Sequence, residues 1–176
     1  LLLLVAALSS SISMLEHLVR FTTEELIEIE SRIVTSAERA KALRIAKPIY
    51  ILGGGECYTH EHIFLMPSLT TTGAVQSSAK AYAMAGCGPK DIDVAGVYDC
   101  FTGTVIMMLE DLGFCAKGEG GRFVQDGQLV SGVGALAVNT DGGGLCNNHP
   151  GNKGGMTKIL EAVRQFSLRL GPNNTA

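Results

Sequence analysis

The sequence predicts an α/β fold in which helices pack on a β-sheet. Three observations carry that prediction. Short β-branched runs alternate along the chain with segments whose apolar residues recur at helical spacing. Hydrophobic residues make up 46% and charged residues 18% of the 176, enough apolar material for the core of one ordinary domain. The 22 glycines collect in a few loops without a period. That distribution excludes collagen-like and low-complexity classes and points to close backbone approach or left-handed backbone angles.

The elements follow in order. "LLLLVAALSSSIS" opens with an eight-residue apolar run, far below the ~20 residues that span a bilayer. It resembles the apolar region of a secretory signal but lacks a Met and a positive leader, so the expectation is a chain that starts inside a longer reading frame. Thr22 and Thr23, followed by Glu24 and Glu25, mark a helix start. Ile33–Val34 is a short β-like run, and a helix follows from about Ser36, a good N-cap. Ile49 to Leu52 reads as a strand entering Gly53-Gly54-Gly55. The dinucleotide fingerprint G-x-G-x-x-G is not completed, because Glu56-Cys57-Tyr58 follow. "TTTGAVQSSAKAYAMAGCGP" predicts a helix with Val75, Ala79, Tyr82 and Gly86 on one face, stopped at Gly86–Pro89. Val94 to Tyr98 reads as a buried strand. The next helix has Thr102 near its N-cap, an apolar face of Val105, Met108, Leu109 and Leu112, and a stop at Gly113. A polar, glycine-rich excursion, "CAKGEGGRFVQDGQLVSGVG", leads to a strand in "ALAVNT". Met156, Ile159, Leu160 and Val163 then recur at helical spacing.

Charge and cysteine content narrow the function. The net charge is −3, with no basic stripe, so nucleic acid is not an expected partner. The five cysteines are odd in number and form no C-x-x-C pair. Neither a disulfide framework nor a four-cysteine zinc site is predicted, and a reducing, cytoplasmic compartment fits.

Three stretches carry candidate chemistry, each with a plain structural alternative. Tyr98-Asp99-Cys100-Phe101 lies where a strand gives way to a helix, the edge at which ligands collect in layered α/β folds. Asp99 could equally be a first-turn acid, and Cys100 a small core residue. "ECYTHEH" gathers Cys57, His60 and His62. On a strand His60 and His62 would face opposite ways, so a polar loop is preferred to a metal cluster. In "GGGLCNNHPGNKGG" the glycines permit backbone angles that other residues avoid. Pro150 suits a first helical turn, which places His149 beside a positive helix end. A neutral His149 with backbone N–H groups around it is equipment for an oxyanion hole; a glycine turn with a capping histidine is the alternative.

These stretches, together with "TSAERA", "YILGGGECYTHEH", "TTTGAV" and "AMAGCGPKDIDVAGVYDCFTGTVIMMLEDLGFCAKGEGGRFV", resemble the thiolase superfamily, and most of all its sterol-carrier-protein type and thiolase-like acetyl-CoA acetyltransferases. The resemblance is to the C-terminal half. It implies a mixed β-sheet covered by helices, one half of a layered α/β/α/β/α fold, over residues 33–170, with an atypical segment before it (1–32) and a tail after it (171–176). It implies a coenzyme A thioester as substrate, no cofactor and no metal. His149 matches the histidine of the family's G-H-P motif, which activates a cysteine of the other half and helps form an oxyanion hole. Tyr98, Asp99 and Phe101 match the N-E-A-F motif, written H-D-C-F in the sterol-carrier type, with Tyr98 in place of Asn or His. Asn148, Gly143, Gly144, Gly151 and Phe101 are the expected substrate-binding residues, with His149, Asp99 and Tyr98 as the catalytic ones. The nucleophile's half and the later C-x-G motif are not in this sequence, so the chain alone is expected to be inactive. Cys146 matches neither catalytic cysteine. Further expectations are a homodimer in the full-length family, an OB-fold partner protein and no membrane span. Alternative readings are a non-catalytic acyl-CoA-binding or scaffold module and a fragment of a steroid-CoA retro-aldolase.

Overall fold

The computed structural model describes residues 33–34, 37–42, 44, 49–130, 132–147 and 154–169. The helix start at Thr22 and Thr23, the Ser36 cap, the segment 1–32 and the tail 171–176 lie outside the described residues. So do Asn148, His149, Pro150 and Gly151.

Two parallel ladders organise the described chain. β1 (Ile33–Val34) pairs with β2 (Ile49–Tyr50), and the helix α1 (Ala37–Ala42) lies between them in sequence. β3 (Val94–Ala95) pairs with β4 (Ala137–Val138) in the register Val94↔Ala137 and Ala95↔Val138. Parallel neighbours need a long crossover. Here it holds α3 (Thr102–Asp111) and the short α4 (Gly120–Phe123). Where a mixed sheet was expected, both ladders among the described residues are parallel, and each is only two residues long.

The core forms around β3 and α3. Ile92, Ala95, Val97, Met108, Leu109, Leu112 and Leu136 are buried together. Leu109 is completely buried. The predicted face of α3 holds: Met108, Leu109 and Leu112 are buried, and Val105 packs against them. The excursion after Gly113 is more structured than its composition predicts. Phe114, Phe123, Val124 and Leu129 fold back onto the same core, because its few apolar residues are enough to anchor it between glycine turns.

The helix α2 (Ala74–Ala85) corrects a prediction. Its buried residues are Ala74, Ser77, Ser78 and Ala81, while Val75 and Ala79 are exposed. The glycine run 53–55 decides this. A Cβ on Gly53 would overlap the Ala81 carbonyl oxygen, and one on Gly55 the Ser77 carbonyl oxygen. The chain therefore lies directly on the helix backbone, and only small residues fit beneath it. Ser77 and Ser78 keep their buried hydroxyls bonded by donating to the Ala74 and Val75 carbonyls three residues back. Gly86, at φ +68, ends the helix as predicted.

A buried charge cluster ties this layer to α3. The fully buried Asp111 side chain accepts from the Thr72 N–H (2.7 Å) and hydroxyl (2.8 Å) and pairs with Lys117. The last helix, α6 (Gly154–Arg169), buries Thr157, Lys158, Leu160 and Val163, but leaves Met156 43% exposed against expectation. No helix among the described residues is long and apolar enough to cross a membrane.

The close approach of residues 53–55 makes a graded prediction. Gly55→Ala should destabilise by about 1–3 kcal/mol in urea unfolding, because two backbones must separate. Gly54→Ala, with nothing within 4 Å of its Cβ, should stay within ~0.5 kcal/mol of the parent.

Candidate functional site

The strand-to-helix junction after β3 alternates in and out. Val97 is 1% exposed, Tyr98 43%, Asp99 5% and Phe101 74%. Extended backbone puts successive side chains on opposite faces, so Tyr98 and Asp99 point to different neighbourhoods. Phe101, still extended at φ −144, is the residue that precedes α3, and its side chain faces outward.

Tyr98 lines an open cavity of about 460 Å³. Cys100, just before α3, and Thr104 in its first turn line it too, with Met108 one turn further on and Ala74 and Ser77 from α2. The opposite wall is residues 55–61, the "ECYTHEH" stretch read as a bland polar loop. Burial pushes the Tyr98 hydroxyl above the usual tyrosine value, and Cys100, which shares a hydrogen bond with it, and the nearby Asp99 push the same way. Tyr98 therefore stays a protonated hydrogen-bond donor at neutral pH. The Cys100 thiol also lies 3.4 Å from the Thr104 hydroxyl.

Asp99 turns inward to the glycine-histidine stretch. Its carboxylate accepts the Gly144 N–H at 2.8 Å and the Leu145 N–H at 3.2 Å. Those groups open α5 (Gly143–Cys146), a single helical turn. Carboxylate-to-amide bonds of this kind are stronger than neutral ones, and an acid suits the first turn of a helix. Gly143 is required twice. Its φ is +68, and a Cβ there would collide with Asp99 Oδ2. The third amide is also engaged, since Gly143 N–H donates to Asp141 Oδ1 at 2.9 Å. The loop was expected to present N–H groups to an oxyanion. At Gly143, Gly144 and Leu145 those groups are already held by two carboxylates.

Asn139 completes the link. At φ +49 it turns the chain after β4. Its side-chain oxygen accepts Val97 N–H at 2.8 Å, and its own N–H donates to Ala95 O at 3.0 Å. The segment leading from β3 to Tyr98 and the turn that enters the glycine loop are thus bonded side by side.

The remaining expected residues divide. The structure brings Tyr98 to the cavity and Asp99, Gly143 and Gly144 to one another. Phe101, Gly143 and Gly144 are not among the cavity's lining residues. His149, Asn148 and Gly151 lie outside the described residues, and Cys146 is exposed. Residues 57–62 form no strand, so opposite strand faces do not separate His60 from His62. His60 Nδ1 lies 2.8 Å from the Thr59 hydroxyl, and the His62 ring stacks on Phe64 at 5.2 Å. Among the described residues no three His, Cys, Asp or Glu side chains gather to hold a metal. Sequence reasoning missed the contribution of residues 55–61 to the cavity and the role of Asp141. The second had a signal, since an acid two residues before a glycine with positive φ is a common turn acceptor.

The clamp predicts coupling between residues distant in sequence. Asp99→Ala should cost about 1–3 kcal/mol by orphaning two N–H groups, and Gly143→Ala should cost a similar amount. The double variant should cost less than the sum in a urea double-mutant cycle, because removing Asp99 removes the clash.

A family model described as thiolase C-terminal domain-like matches residues 55–176. The chain is 37% identical over 138 residues to an acetyl-CoA acetyltransferase of Methanocaldococcus jannaschii, covering 76% of this chain and 35% of that protein. It is 37% identical over 149 residues to a steroid side-chain-cleaving aldolase of Thermomonospora curvata, covering 79% and 36%. Among solved structures it is similar to the Ltp2-ChsH2(DUF35) aldolase, with a TM-score of 0.58, 30% identity, and coverage of 69% of this chain and 36% of that one. The chain thus spans about a third of the length of these relatives. Because the family model spans more than half of its residues, this chain belongs to the thiolase C-terminal domain-like family.

Proposed function

We propose that this chain supplies the C-terminal half of an acyl-CoA C-acyltransferase site of the acetyl-CoA acetyltransferase type, in lipid or steroid side-chain metabolism. The observation that carries the reading is Tyr98. A hydroxyl held in its protonated form stands at a cavity on the strand-to-helix junction, where a thioester carbonyl would need a donor. The amides of residues 143–145 are held by Asp99 and Asp141, so the donor proposed for the substrate is a side chain. Tyr98 would polarise the thioester oxygen. His149, with Asn148 and Gly151 beside it in sequence, would activate the nucleophile and share the developing charge. Phe101, exposed at the start of α3, would contact the acyl-CoA. Asp99 acts through Gly144 and Leu145 and positions the loop without touching substrate. Acyl transfer to a cysteine and the C–C bond step need a nucleophile, which the resemblance places in the other half of the fold. The chain alone is therefore proposed to be catalytically silent. No cofactor beyond the coenzyme A thioester is invoked.

A second reading is favoured by the same tyrosine. In a retro-aldolase acting on a steroid-CoA ester, the Tyr98 hydroxyl would move the proton of a β-hydroxyl as the C–C bond breaks. The name of the Thermomonospora relative supports it. The solved structure's name joins Ltp2 to ChsH2(DUF35), which supports an OB-fold partner for this chain as well. A non-catalytic acyl-CoA-binding role with such a partner is the alternative; a homodimer in the whole protein and a reducing cytoplasmic setting complete the main proposal.

Binding of acetyl-CoA to the purified chain tests the main reading. Tyr98→Phe should weaken it by about tenfold, the worth of one lost hydrogen bond of ~1.4 kcal/mol. The donor is the protonated phenol, whose value is raised. The Tyr98-dependent part of the affinity should therefore be constant from pH 7 to 9 and fade only as pH climbs above the ordinary tyrosine value of ~10. Wild-type and Tyr98→Phe chains of equal affinity would remove the assignment. Acetoacetyl-CoA cleavage by the chain alone, abolished in His149→Ala, would overturn the proposed silence.

A further inference from the structure

Lys158 is a cation on the buried face of α6, only 9% exposed. A buried charge is costly unless it is paired. Its ammonium lies 3.3 Å from Asp141 Oδ1, the oxygen that also accepts the Gly143 N–H at 2.9 Å. The aliphatic stem of Lys158 runs across Gly96, where a Cβ would come within 3.2–3.5 Å of three of its carbons. Gly96 lies on the extended segment that leads to Tyr98. One turn along the same helix face, Glu161 accepts the Thr140 hydroxyl at 2.5 Å and the Gln165 amide at 2.8 Å. Two consecutive residues before the glycine loop, Thr140 and Asp141, are thus gripped by α6, while Asp99 grips the loop from the side of Tyr98.

We propose that Lys158 is a positioning residue of the candidate site. It holds the Asp141 carboxylate where that group accepts the Gly143 N–H, and it keeps the strand before Tyr98 at a set spacing from the glycine loop. This rests on the reading that the glycine loop at residues 142–147 supports an acyl-CoA site at Tyr98. A pair that only stabilised the fold could be replaced by uncharged side chains with its effect spread over the molecule. A positioning pair concentrates its effect at Gly143, Gly144 and Leu145, and a cation of similar reach restores it.

Amide hydrogen exchange on the whole chain separates these cases, using Lys158→Met, Lys158→Arg and the double variant Lys158→Met/Asp141→Asn. In Lys158→Met, with Asp141 buried and unpaired, exchange at Gly143, Gly144 and Leu145 should quicken by about tenfold or more, while α2 and α3 keep their rates. Lys158→Arg should restore most of the protection. The double variant should restore it only in part, since an asparagine oxygen still accepts the Gly143 N–H and no charge is unpaired, but no ammonium holds that oxygen in place. It also keeps the test readable if Lys158→Met does not fold. Unchanged exchange at residues 143–145, or equal acceleration through α2 and α3, would overturn the proposal. So would a double variant as unprotected as Lys158→Met. Acetyl-CoA affinity measured on the same set should fall with Lys158→Met and return with Lys158→Arg. If the wild-type chain binds no acetyl-CoA, the acyl-CoA reading fails, and the exchange pattern still judges Lys158 by itself.

Discussion

The carboxylate of Asp99 and the amides of Gly144 and Leu145 make the contact on which the rest of the site depends. It joins two segments 45 residues apart in the chain. It works because Gly143 has no side chain. The carboxylate occupies the volume where a Cβ would stand, so the glycine's left-handed angle and the acid's burial are one requirement. Asn139 and Asp141 reinforce the joint from the β4 side, each by accepting a backbone N–H that would otherwise be orphaned.

This arrangement redistributes chemical roles. A turn of helix with its amides unused is a natural anion site, and the glycine loop invites that description. Here two carboxylates already occupy the amides at its start, so negative charge is part of the scaffold. The Tyr98 hydroxyl lines the cavity at the same junction, together with the hydroxyl-bearing Thr72, Ser77 and Thr104.

Much of the fold was legible in local pattern. Ile33–Val34, Ile49–Tyr50, Val94–Ala95 and Ala137–Val138 lie in the predicted strands, and the α3 face followed from period alone. The α2 face was not legible. Val75 and Tyr82 drew the prediction towards large side chains, whereas the helix buries Ser77, Ser78 and Ala81, because another stretch of backbone lies against it. The same reason hid the cavity wall. Residues 55–61 look like an ordinary polar loop until Gly53 and Gly55 are seen to press them onto α2, opposite Tyr98. Lys158 was likewise invisible, since helical period counts a lysine as solvent-facing and says nothing of a carboxylate waiting at Asp141.

The sequence by itself determined the alternation of strands and helices, the stops at Gly86 and Gly113, and the two motifs around Asp99 and His149. Each of these depends on a residue's near neighbours in the chain, through backbone angles and side-chain period. The tertiary structure alone decided which donor each buried acid would take. Hydrogen bonds between Asp99 and Gly144, or Asp141 and Lys158, form only after the core around Val97 and Leu109 has brought those segments together. Burial then makes an unmade bond costly, so the pairing becomes as specific as the motif that hides it.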